Sequence, residues 1–362
     1  MKRLLDATGD ARRRYLTPLT NQDAQMAHRV SIRQFDCTID VKDGQSILDA
    51  ALKAGLDYPY ACRSGTCSAC KTELLSGDVK HRAYDALALS ETDRAAGIIL
   101  ACRACPVSDC EVAFLEDDAL EYTPRKVECT ISHIEHATHD VAVVRAIARD
   151  GTAIQFAAGQ FGMLSLPGLP PREYSFANRP GSLELEFHVR SRPGGHVSAH
   201  IFERSRTGDH FLLSGPFGNA YLRKEHSGPI MLVVGGTGLA PAMSILRECL
   251  ATLPGREINL FFSVRQERDL YFGELLERLS EEHSNFNFFP VVFDPVNGHA
   301  QYQGNVIEFM EKISLNFCSA KVYTCGPPGL VSACQRFVTR MGTLPENCHA
   351  DSFVSQEEKI AS

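Results

Sequence analysis

Four cysteines in the first third of the chain have a spacing that suits an iron–sulfur cluster. The run Cys62-Arg-Ser-Gly-Thr-Cys67-Ser-Ala-Cys70 has the pattern C-x4-C-x2-C, and Cys102 follows after a gap of 31 residues. In a [2Fe–2S] site, three thiolates on one tight loop reach the two irons and a fourth thiolate from another segment completes the ligand set. A zinc site is the alternative, but zinc loops favour two C-x2-C pairs, whereas the first gap here is four residues. The pattern therefore predicts one cluster held by these four cysteines.

The fourth ligand is the least constrained, because Cys105 and Cys110 lie close to Cys102 in the sequence. Cys102 directly follows the apolar run Ile98–Ala101, which we expect to hold it towards the interior. Cys105 and Cys110 are expected to pack as small hydrophobic residues, as buried free cysteines do. The same interpretation applies to Cys37, Cys129, Cys249, Cys318, Cys334 and Cys348.

Two later segments contain the groups that a flavin requires. Arg172-Glu-Tyr174-Ser175 offers a cation for a pyrophosphate, an aromatic ring for the isoalloxazine face and a small hydrogen-bonding group for N5. Phe187-His188-Val189-Arg190 is followed by Gly194-Gly195-His196-Val197-Ser198, whose glycines would let the backbone approach a phosphate. We expect a helix to begin at Ser198, with its N–H groups facing the anion. The alternative is that Tyr174 and the two histidines are ordinary packing residues and that Arg172 forms a surface ion pair.

Two glycine-containing turns indicate a dinucleotide site. Strand Ile230–Val234 leads into Gly235-Gly236-Thr237-Gly238-Leu-Ala-Pro241, and Thr324-Cys325-Gly326-Pro327-Pro328 follows the last expected strand. The first turn is not G-x-G-x-x-G, so the ordinary dinucleotide fingerprint is not present. Both turns nevertheless lie at carboxyl ends of strands, where parallel sheets bind ligands, and the first can cradle a pyrophosphate at a helix N-terminus. Cys325 is either part of this site or a packing residue at the strand end.

The end of the next strand bears on the choice of dinucleotide. Glu267 and Asp269 would suit the ribose hydroxyls of NADH, whereas Arg265 and Arg268 would suit the 2′-phosphate of NADPH. Because both kinds of group are present, these residues alone leave the choice open.

The elements expected around these residues form three folded units. In the first, strands within Val30–Val41 precede a helix that Ser46 can cap, and a cysteine-rich loop, Ala61–Cys70, follows. This segment is called the cysteine loop below. After a linker at Glu121–Arg125, short β-like segments separated by turns indicate a small antiparallel barrel. From Pro229 onwards, strands and helices alternate as in a doubly wound parallel sheet.

Composition and charge exclude several classes of protein. The chain of 362 residues is 44% apolar and 22% charged, which is ordinary for a globular protein. Its apolar runs are too short to span a bilayer, and the N-terminus lacks the apolar core of a signal peptide. The net charge of −7 argues against nucleic acid as a partner, and residues 30–118 carry −6 of it, from nine basic and fifteen acidic residues. We therefore expect a cytoplasmic monomer without a membrane or nucleic-acid partner.

These motifs together resemble known redox families. Residues 30–118 resemble a plant-type ferredoxin domain, with Ser68 where that family commonly has glycine. The flavin segments and the turn at Gly235–Pro241 resemble the ferredoxin–NADP reductase superfamily. The whole order, over residues 30–353, resembles the reductase components of bacterial aromatic-ring-hydroxylating oxygenases.

The resemblance implies a multidomain fold. It implies an α+β ferredoxin (β-grasp) domain at 30–118, an antiparallel β-barrel FAD domain at 119–226 and an α/β doubly wound NAD domain at 227–353. Residues 1–29 and 354–362 would be tails.

The resemblance also implies roles for the site residues. FAD would be lined by Arg172, Tyr174, Ser175, His188, Val189, Arg190 and the run Gly194–Ser198. The dinucleotide would be bound by Gly236, Thr237, Gly238, Cys325, Gly326 and Pro327. Asp351 would lie near the path of hydride transfer and Phe353 would stack on the other flavin face, although plant reductases end at that aromatic and nine residues follow it here. The catalytic residues would be Ser175, Cys325, Asp351 and Phe353.

By the same resemblance the chain is an electron-transfer enzyme. NADH delivers two electrons together and a [2Fe–2S] cluster accepts one, so FAD between them would convert the pair into single electrons. The acceptor would be a Rieske-type ferredoxin or an oxygenase component, and NADH is the expected donor because related reductases mostly use it. The reductase of a di-iron monooxygenase and a reductase of deoxysugar biosynthesis are alternatives, and a redox sensor would need an output segment that we do not find.

Overall fold

The structure is a computed structural model that describes residues 27–56, 58–60, 63–65, 69–86, 88–115, 122–192, 194–296 and 301–353. The predicted ligands Cys62 and Cys67, the neighbouring Ser68, the expected C-terminal tail and nearly all of the expected N-terminal tail lie outside these residues.

The first domain is a mixed five-stranded sheet with a short helix packed on it. Its main elements are β1 (Ala27–Ile32), β2 (Cys37–Lys42), α1 (Ile47–Lys53), β3 (Lys71–Ser76), β4 (Val79–His81), α2 (Glu91–Ala95), β5 (Ile98–Leu100), β6 (Ala104–Pro106) and β7 (Cys110–Phe114). The sheet order is β2-β1-β7-β3-β5, with β1 and β7 parallel and the other pairs antiparallel, while β4 and β6 form a separate ribbon. This is the expected ferredoxin fold.

Helix α1 forms for the reason that the sequence suggests. The Ser46 side chain accepts a hydrogen bond from the Asp49 backbone N–H at 3.1 Å and so caps the first turn. Ile47, Leu48 and Ala51 are buried against the sheet. The cap and the apolar face together place α1 beside the segment that carries Cys102, since the Leu48 N–H donates to the Ala101 carbonyl.

The second domain is a nearly closed antiparallel barrel. Its elements are β8 (Arg125–His136), β9 (Val141–Ala148), β10 (Phe161–Ser165), β11 (Arg172–Ser175), β12 (Glu184–Arg190), α3 (His196–Glu203) and β13 (His210–Phe217). The strand order is β11-β10-β13-β8-β9-β12, and a bridge between Phe176 and Phe187 brings the two edges together. The barrel expected from the turn-separated segments is therefore confirmed.

The third domain is a parallel six-stranded sheet with helices on both faces. Its elements are β14 (Ile230–Gly235), α4 (Leu239–Thr252), β15 (Ile258–Val264), α5 (Gly273–Glu282), β16 (Phe286–Val292), β17 (Tyr302–Gln303), α6 (Val306–Lys312), β18 (Lys321–Gly326), α7 (Pro328–Arg340) and β19 (Cys348–Ser352). The order is β17-β16-β15-β14-β18-β19. The near-continuous apolar strands bury side chains in a separate core on each face, as expected for a doubly wound sheet.

Helix α4 joins the second and third domains through polar contacts. The Ser244 hydroxyl donates to the Asn178 carbonyl at 2.7 Å, and the Arg247 guanidinium donates to Glu186 at 2.8 Å. Because all these groups are buried or half-buried, the contacts fix the two domains relative to each other. No helix among the described residues has both the length and the apolar composition needed to cross a membrane.

Candidate functional site

The fold brings two of the predicted cluster ligands together. Cys70 ends the cysteine loop just before β3, and Cys102 follows β5, which pairs with β3. The Ala101 N–H donates to the Cys70 carbonyl at 2.9 Å, and the Cys102 N–H points at the Cys70 sulfur at 3.5 Å. Both thiols are buried, and such a backbone N–H directed at a sulfur is the kind of contact that tunes an iron–sulfur site.

Cys105 and Cys110, the alternative fourth ligands, both donate hydrogen bonds to backbone carbonyls. The Cys105 thiol donates to the Gly44 carbonyl at 3.4 Å, and the Cys110 thiol donates to the Ser108 carbonyl at 3.3 Å. Burial raises the pKa of Cys110, which disfavours the thiolate form that a metal requires. This geometry supports Cys102 as the fourth ligand and a packing role for the other two.

The predicted flavin segment forms the edge strand β11. In the register with β10, Tyr174 pairs with Gly162 and Ser175 with Phe161. Ser175 is buried at the end of the strand, while Tyr174 is half-buried against the barrel core. Burial raises the pKa of Tyr174, so its ring remains a neutral phenol. An apolar ring beside a small hydroxyl is what the isoalloxazine system requires at this position.

The side chain of His188 has a different environment from the one expected for a flavin contact. It is fully buried between domains, where its Nδ1 lies 2.9 Å from the Tyr271 hydroxyl and its Nε2 lies 3.4 Å from Glu186. Burial lowers the pKa of His188 despite the neighbouring carboxylate. Because both ring nitrogens have protein partners, the histidine side chain joins the barrel to the third domain.

The remaining part of this segment approaches the glycine turn. The Arg190 guanidinium donates to Asp140 at 2.6 Å, and a β-carbon placed on Gly236 would lie 3.4 Å from an Arg190 nitrogen. Helix α3 begins at His196 and not at Ser198 as expected, because Gly195 already has the extended backbone of an N-cap. Ser198 therefore lies in the first turn of α3, and Val197 points into the barrel core.

The two glycine-containing turns of the third domain lie against each other. Gly238 presses on the backbone carbonyl of Cys325, so a β-carbon at this position would overlap the carbonyl oxygen. Gly326 has a φ of +131°, and a β-carbon there would lie 2.7 Å from the Gly235 carbonyl oxygen. The close approach requires glycine at both positions, and the positive φ requires it at Gly326 as well, so both glycines are needed to bring the two strand ends together.

The C-terminal strand extends this site. In the register of β18 and β19, Cys325 pairs with Asp351, and the Phe353 N–H donates to the Gly326 carbonyl at 2.8 Å. Burial and the charge of Asp351 raise the pKa of Cys325 well above its ordinary value. Cys325 therefore presents a neutral thiol to the turn, which suits a packing surface for a ring better than a nucleophile.

Sequence reasoning missed the buried polar network between the barrel and the third domain. Burial would raise the pKa of Glu186, but hydrogen bonds from His188 and Arg247 and the charge of Arg247 lower it to about 2. Tyr271 completes the network through His188. The one signal in the sequence is that Glu186 and His188 occupy alternate positions of the otherwise apolar strand β12. This alternation indicates a polar face of the strand but does not show which residues bind to it.

The groups expected to select the dinucleotide lie just after β15. The Asp269 carboxylate accepts the Gln266 N–H at 3.0 Å, and the Glu267 carboxylate accepts the Val296 N–H at 3.1 Å. Arg265 and Arg268 are exposed at the same sheet edge. Acidic and basic side chains therefore both lie at the sheet edge where the adenosine ribose of the dinucleotide is expected.

Comparisons with known protein families assign one function to each unit. Residues 30–107 match the 2Fe-2S iron–sulfur cluster binding domain. Residues 128–221 match the oxidoreductase FAD-binding domain, and residues 232–336 match the oxidoreductase NAD-binding domain. The fold and the site therefore define an iron–sulfur flavoprotein oxidoreductase of the ferredoxin–NAD(P)+ reductase type.

Curated relatives place this oxidoreductase more closely. The reductase component of the naphthalene 1,2-dioxygenase system of Pseudomonas putida is 33% identical over 311 residues, which cover 86% of this chain and 94% of the relative. The propane 2-monooxygenase reductase component of Mycolicibacterium goodii is 30% identical over 340 residues, or 91% of this chain and 98% of the relative. The chain belongs to the family of reductase components of multicomponent oxygenase systems.

Solved structures agree in architecture. A cytochrome P450 reductase from Amycolatopsis superposes with a TM-score of 0.71 at 33% identity, covering 91% of this chain and 99% of that one. The ferredoxin reductase in carbazole 1,9a-dioxygenase gives a TM-score of 0.67 at 26% identity, with 91% and 99% covered. The cofactors of the family are a [2Fe–2S] cluster, FAD and NAD(P)H, and the buried pair of thiols and the two apposed glycine turns fit them.

Proposed function

We propose that this chain is the NADH-dependent reductase of an aromatic-ring dioxygenase system, and that it passes electrons to a Rieske-type ferredoxin or to the terminal oxygenase. The main support is the similarity to the naphthalene dioxygenase reductase over nearly the full length of both chains. A di-iron monooxygenase reductase is the second candidate, because propane and phenol monooxygenase reductases are similar to a comparable degree.

Residues of the barrel would hold FAD. Arg172 and Arg190 would meet the pyrophosphate, and Tyr174 would cover the isoalloxazine ring with a neutral phenol. Ser175, buried at the end of β11, would place its hydroxyl at N5. When bound, FAD accepts two electrons with a hydride and passes them on singly. The backbone segments Val189 and Gly194–Ser198 would line the remainder of the cofactor.

Residues of the third domain would hold the nicotinamide dinucleotide. The turn Gly236–Gly238 offers backbone N–H groups to the pyrophosphate at the start of α4. Cys325, Gly326 and Pro327 would form the floor under the nicotinamide ring, and Cys325 would contribute a small neutral surface there. Phe353, anchored through its backbone to Gly326, would cover the flavin until the nicotinamide displaces it.

Steady-state kinetics test whether the electron donor is NADH or NADPH. We propose NADH, with Glu267 accepting from the adenosine ribose. Steady-state kcat/KM for NADH and NADPH should then differ in favour of NADH. Replacing Arg265 and Arg268 with glutamine should lower activity with NADPH and leave activity with NADH nearly unchanged, whereas a preference for NADPH in the unaltered chain would contradict the proposal.

Reconstitution separates the two candidate systems. The purified chain with NADH is combined with the Rieske ferredoxin and oxygenase of an aromatic dioxygenase, or with the components of a di-iron hydroxylase. The proposal expects coupled product formation only in the first mixture. The Cys102→Ser variant is the control for electron flow through the cluster, because electrons passed directly from FAD to the acceptor would still produce activity in this variant. Coupling only to the di-iron hydroxylase would establish the second candidate.

A further inference from the structure

The segment that carries the predicted cluster ligands contacts both of the other domains. Tyr60, which directly precedes the cysteine loop, is only 2% exposed. Its ring packs edge-on against Phe161 of β10 at 5.9 Å and lies 6.0 Å from Phe217 of β13, measured between ring centroids. The aromatic contact therefore seats the entry of the loop on the barrel.

A second contact links Tyr60 to helix α1 through Arg63. Arg63 adopts a left-handed backbone with a φ of +58°, and its guanidinium donates to Asp49 of α1 at 2.6 Å. The same guanidinium lies 5.9 Å from the centroid of the Tyr60 ring. Arg63 thus ties α1 of the first domain to Tyr60, the residue that packs on the barrel.

A third contact lies next to a cluster ligand. Ala69, which directly precedes Cys70, is buried in a small apolar cluster with Val331 of α7 and Ala350 of β19. Ala350 directly precedes Asp351, one of the residues expected near the nicotinamide. The cysteine loop therefore meets the edge of the third domain at the point where β18 and β19 build the site.

We infer that Tyr60, Arg63 and Ala69 are positioning residues that seat the cluster between the predicted flavin strand and the nicotinamide edge. This inference rests on the proposed ligand and flavin residues. In each transfer reduced FAD loses one electron and the cluster gains one. The rate of this transfer depends on the distance between FAD and the cluster, which these contacts would set. Because protein interiors are close-packed, a larger side chain at such a contact must shift the loop or its support.

Val331→Phe tests the third contact without altering the cysteine loop. The matched control is Val338→Phe, which is equally buried on the same helix two turns away and belongs to a core that does not include the loop. We expect flavin-to-cluster transfer in Val331→Phe, followed by stopped-flow absorbance, to fall several-fold, because electron transfer slows as the distance between the two cofactors grows. Reduction of FAD by NADH should change little in both variants.

Arg63→Gln tests the second contact and also covers the case in which Val331→Phe does not fold. Its control is Arg33→Gln, which removes an exposed ion pair with Glu111 from the same domain. Iron content and the visible spectrum should match the unaltered protein, while flavin-to-cluster transfer slows in Arg63→Gln alone. Amide hydrogen exchange gives a readout independent of turnover: residues 160–176 and 345–353 should exchange faster in Arg63→Gln than in Arg33→Gln.

The outcomes separate this inference from the proposed function. Equal flavin-to-cluster rates in each variant and its control, together with unchanged hydrogen exchange, would overturn the positioning role. A cluster that NADH does not reduce in the unaltered protein would instead contradict the proposed electron path.

Discussion

Gly238 lies directly against the backbone carbonyl of Cys325, with no room for a β-carbon between them. This contact joins the turn that should hold the dinucleotide pyrophosphate to the strand end that should lie under the nicotinamide. The distance between the two turns is therefore set by the absence of a side chain.

Gly238→Ala should separate these two turns. Overpacking of this kind costs about 1–3 kcal/mol, and we expect lower thermal stability together with a higher KM for NADH. Gly329→Ala is the matched control, because Gly329 lies in α7 with open space around it. Unchanged KM and thermal midpoint in Gly238→Ala would show that the contact is dispensable.

Cys102→Ser and Cys105→Ser should differ sharply. Cys102 lies beside Cys70, whereas the Cys105 thiol is bonded to the Gly44 carbonyl. Loss of a thiolate ligand should lower iron content and bleach the visible absorption in Cys102→Ser, while Cys105→Ser should retain both. An intact cluster in Cys102→Ser would remove it from the ligand set.

Ser175→Ala should slow the reduction of FAD by NADH. Ser175 is buried at the end of β11 beside Tyr174, and a neutral hydrogen bond contributes about 1 kcal/mol, so we expect roughly a fivefold decrease. FAD content should remain normal because Tyr174 and Arg172 are unchanged. Stopped-flow reduction at the unaltered rate would contradict the role assigned to the hydroxyl.

His188 should make the protein less stable in mild acid. Burial lowers its pKa in the folded protein below the ordinary 6.5, so the unfolded chain binds more protons below that pH. Stability should therefore be greatest above about 6.5 and fall as the pH is lowered through this value. Glu186, Arg145, Arg247 and Tyr271 surround the ring.

His188→Gln isolates this contribution. It should flatten the dependence of the thermal midpoint between pH 7 and 5.5, and loss of the bond to Tyr271 should lower stability at pH 7 by about 1 kcal/mol. His133→Gln, an exposed change in β8 of the same barrel, is the control. A slope equal to that of the unaltered protein would show that His188 does not govern this pH range.

Electron transfer to the external acceptor should slow as salt is added. Residues 30–118 carry a formal charge of −6, which should attract a basic patch on the partner. Screening acts over about 8–10 Å near physiological ionic strength, so encounter should weaken while the reduction of FAD by NADH changes little. If acceptor reduction stays constant with salt where encounter limits the rate, the acidity serves only solubility.

The amino-acid sequence by itself determined the three domains and their cofactors. The cysteine spacing, the R-x-Y-S segment and the two glycine turns are local patterns, and each is set by what a neighbouring backbone must do to reach a cofactor. The alternation of strands and helices after Pro229 likewise follows from local periodicity, and β14 begins at Ile230 as expected.

Only the tertiary structure decided which distant residues meet. That Cys102 lies beside Cys70 depends on the pairing of β3 with β5, and that His188 bonds Tyr271 depends on how the third domain docks on the barrel. The start of α3 at His196 was likewise decided by the backbone of Gly195 and not by the Ser198 pattern. Such contacts join residues far apart in the chain, and local sequence patterns do not encode the packing that brings them together.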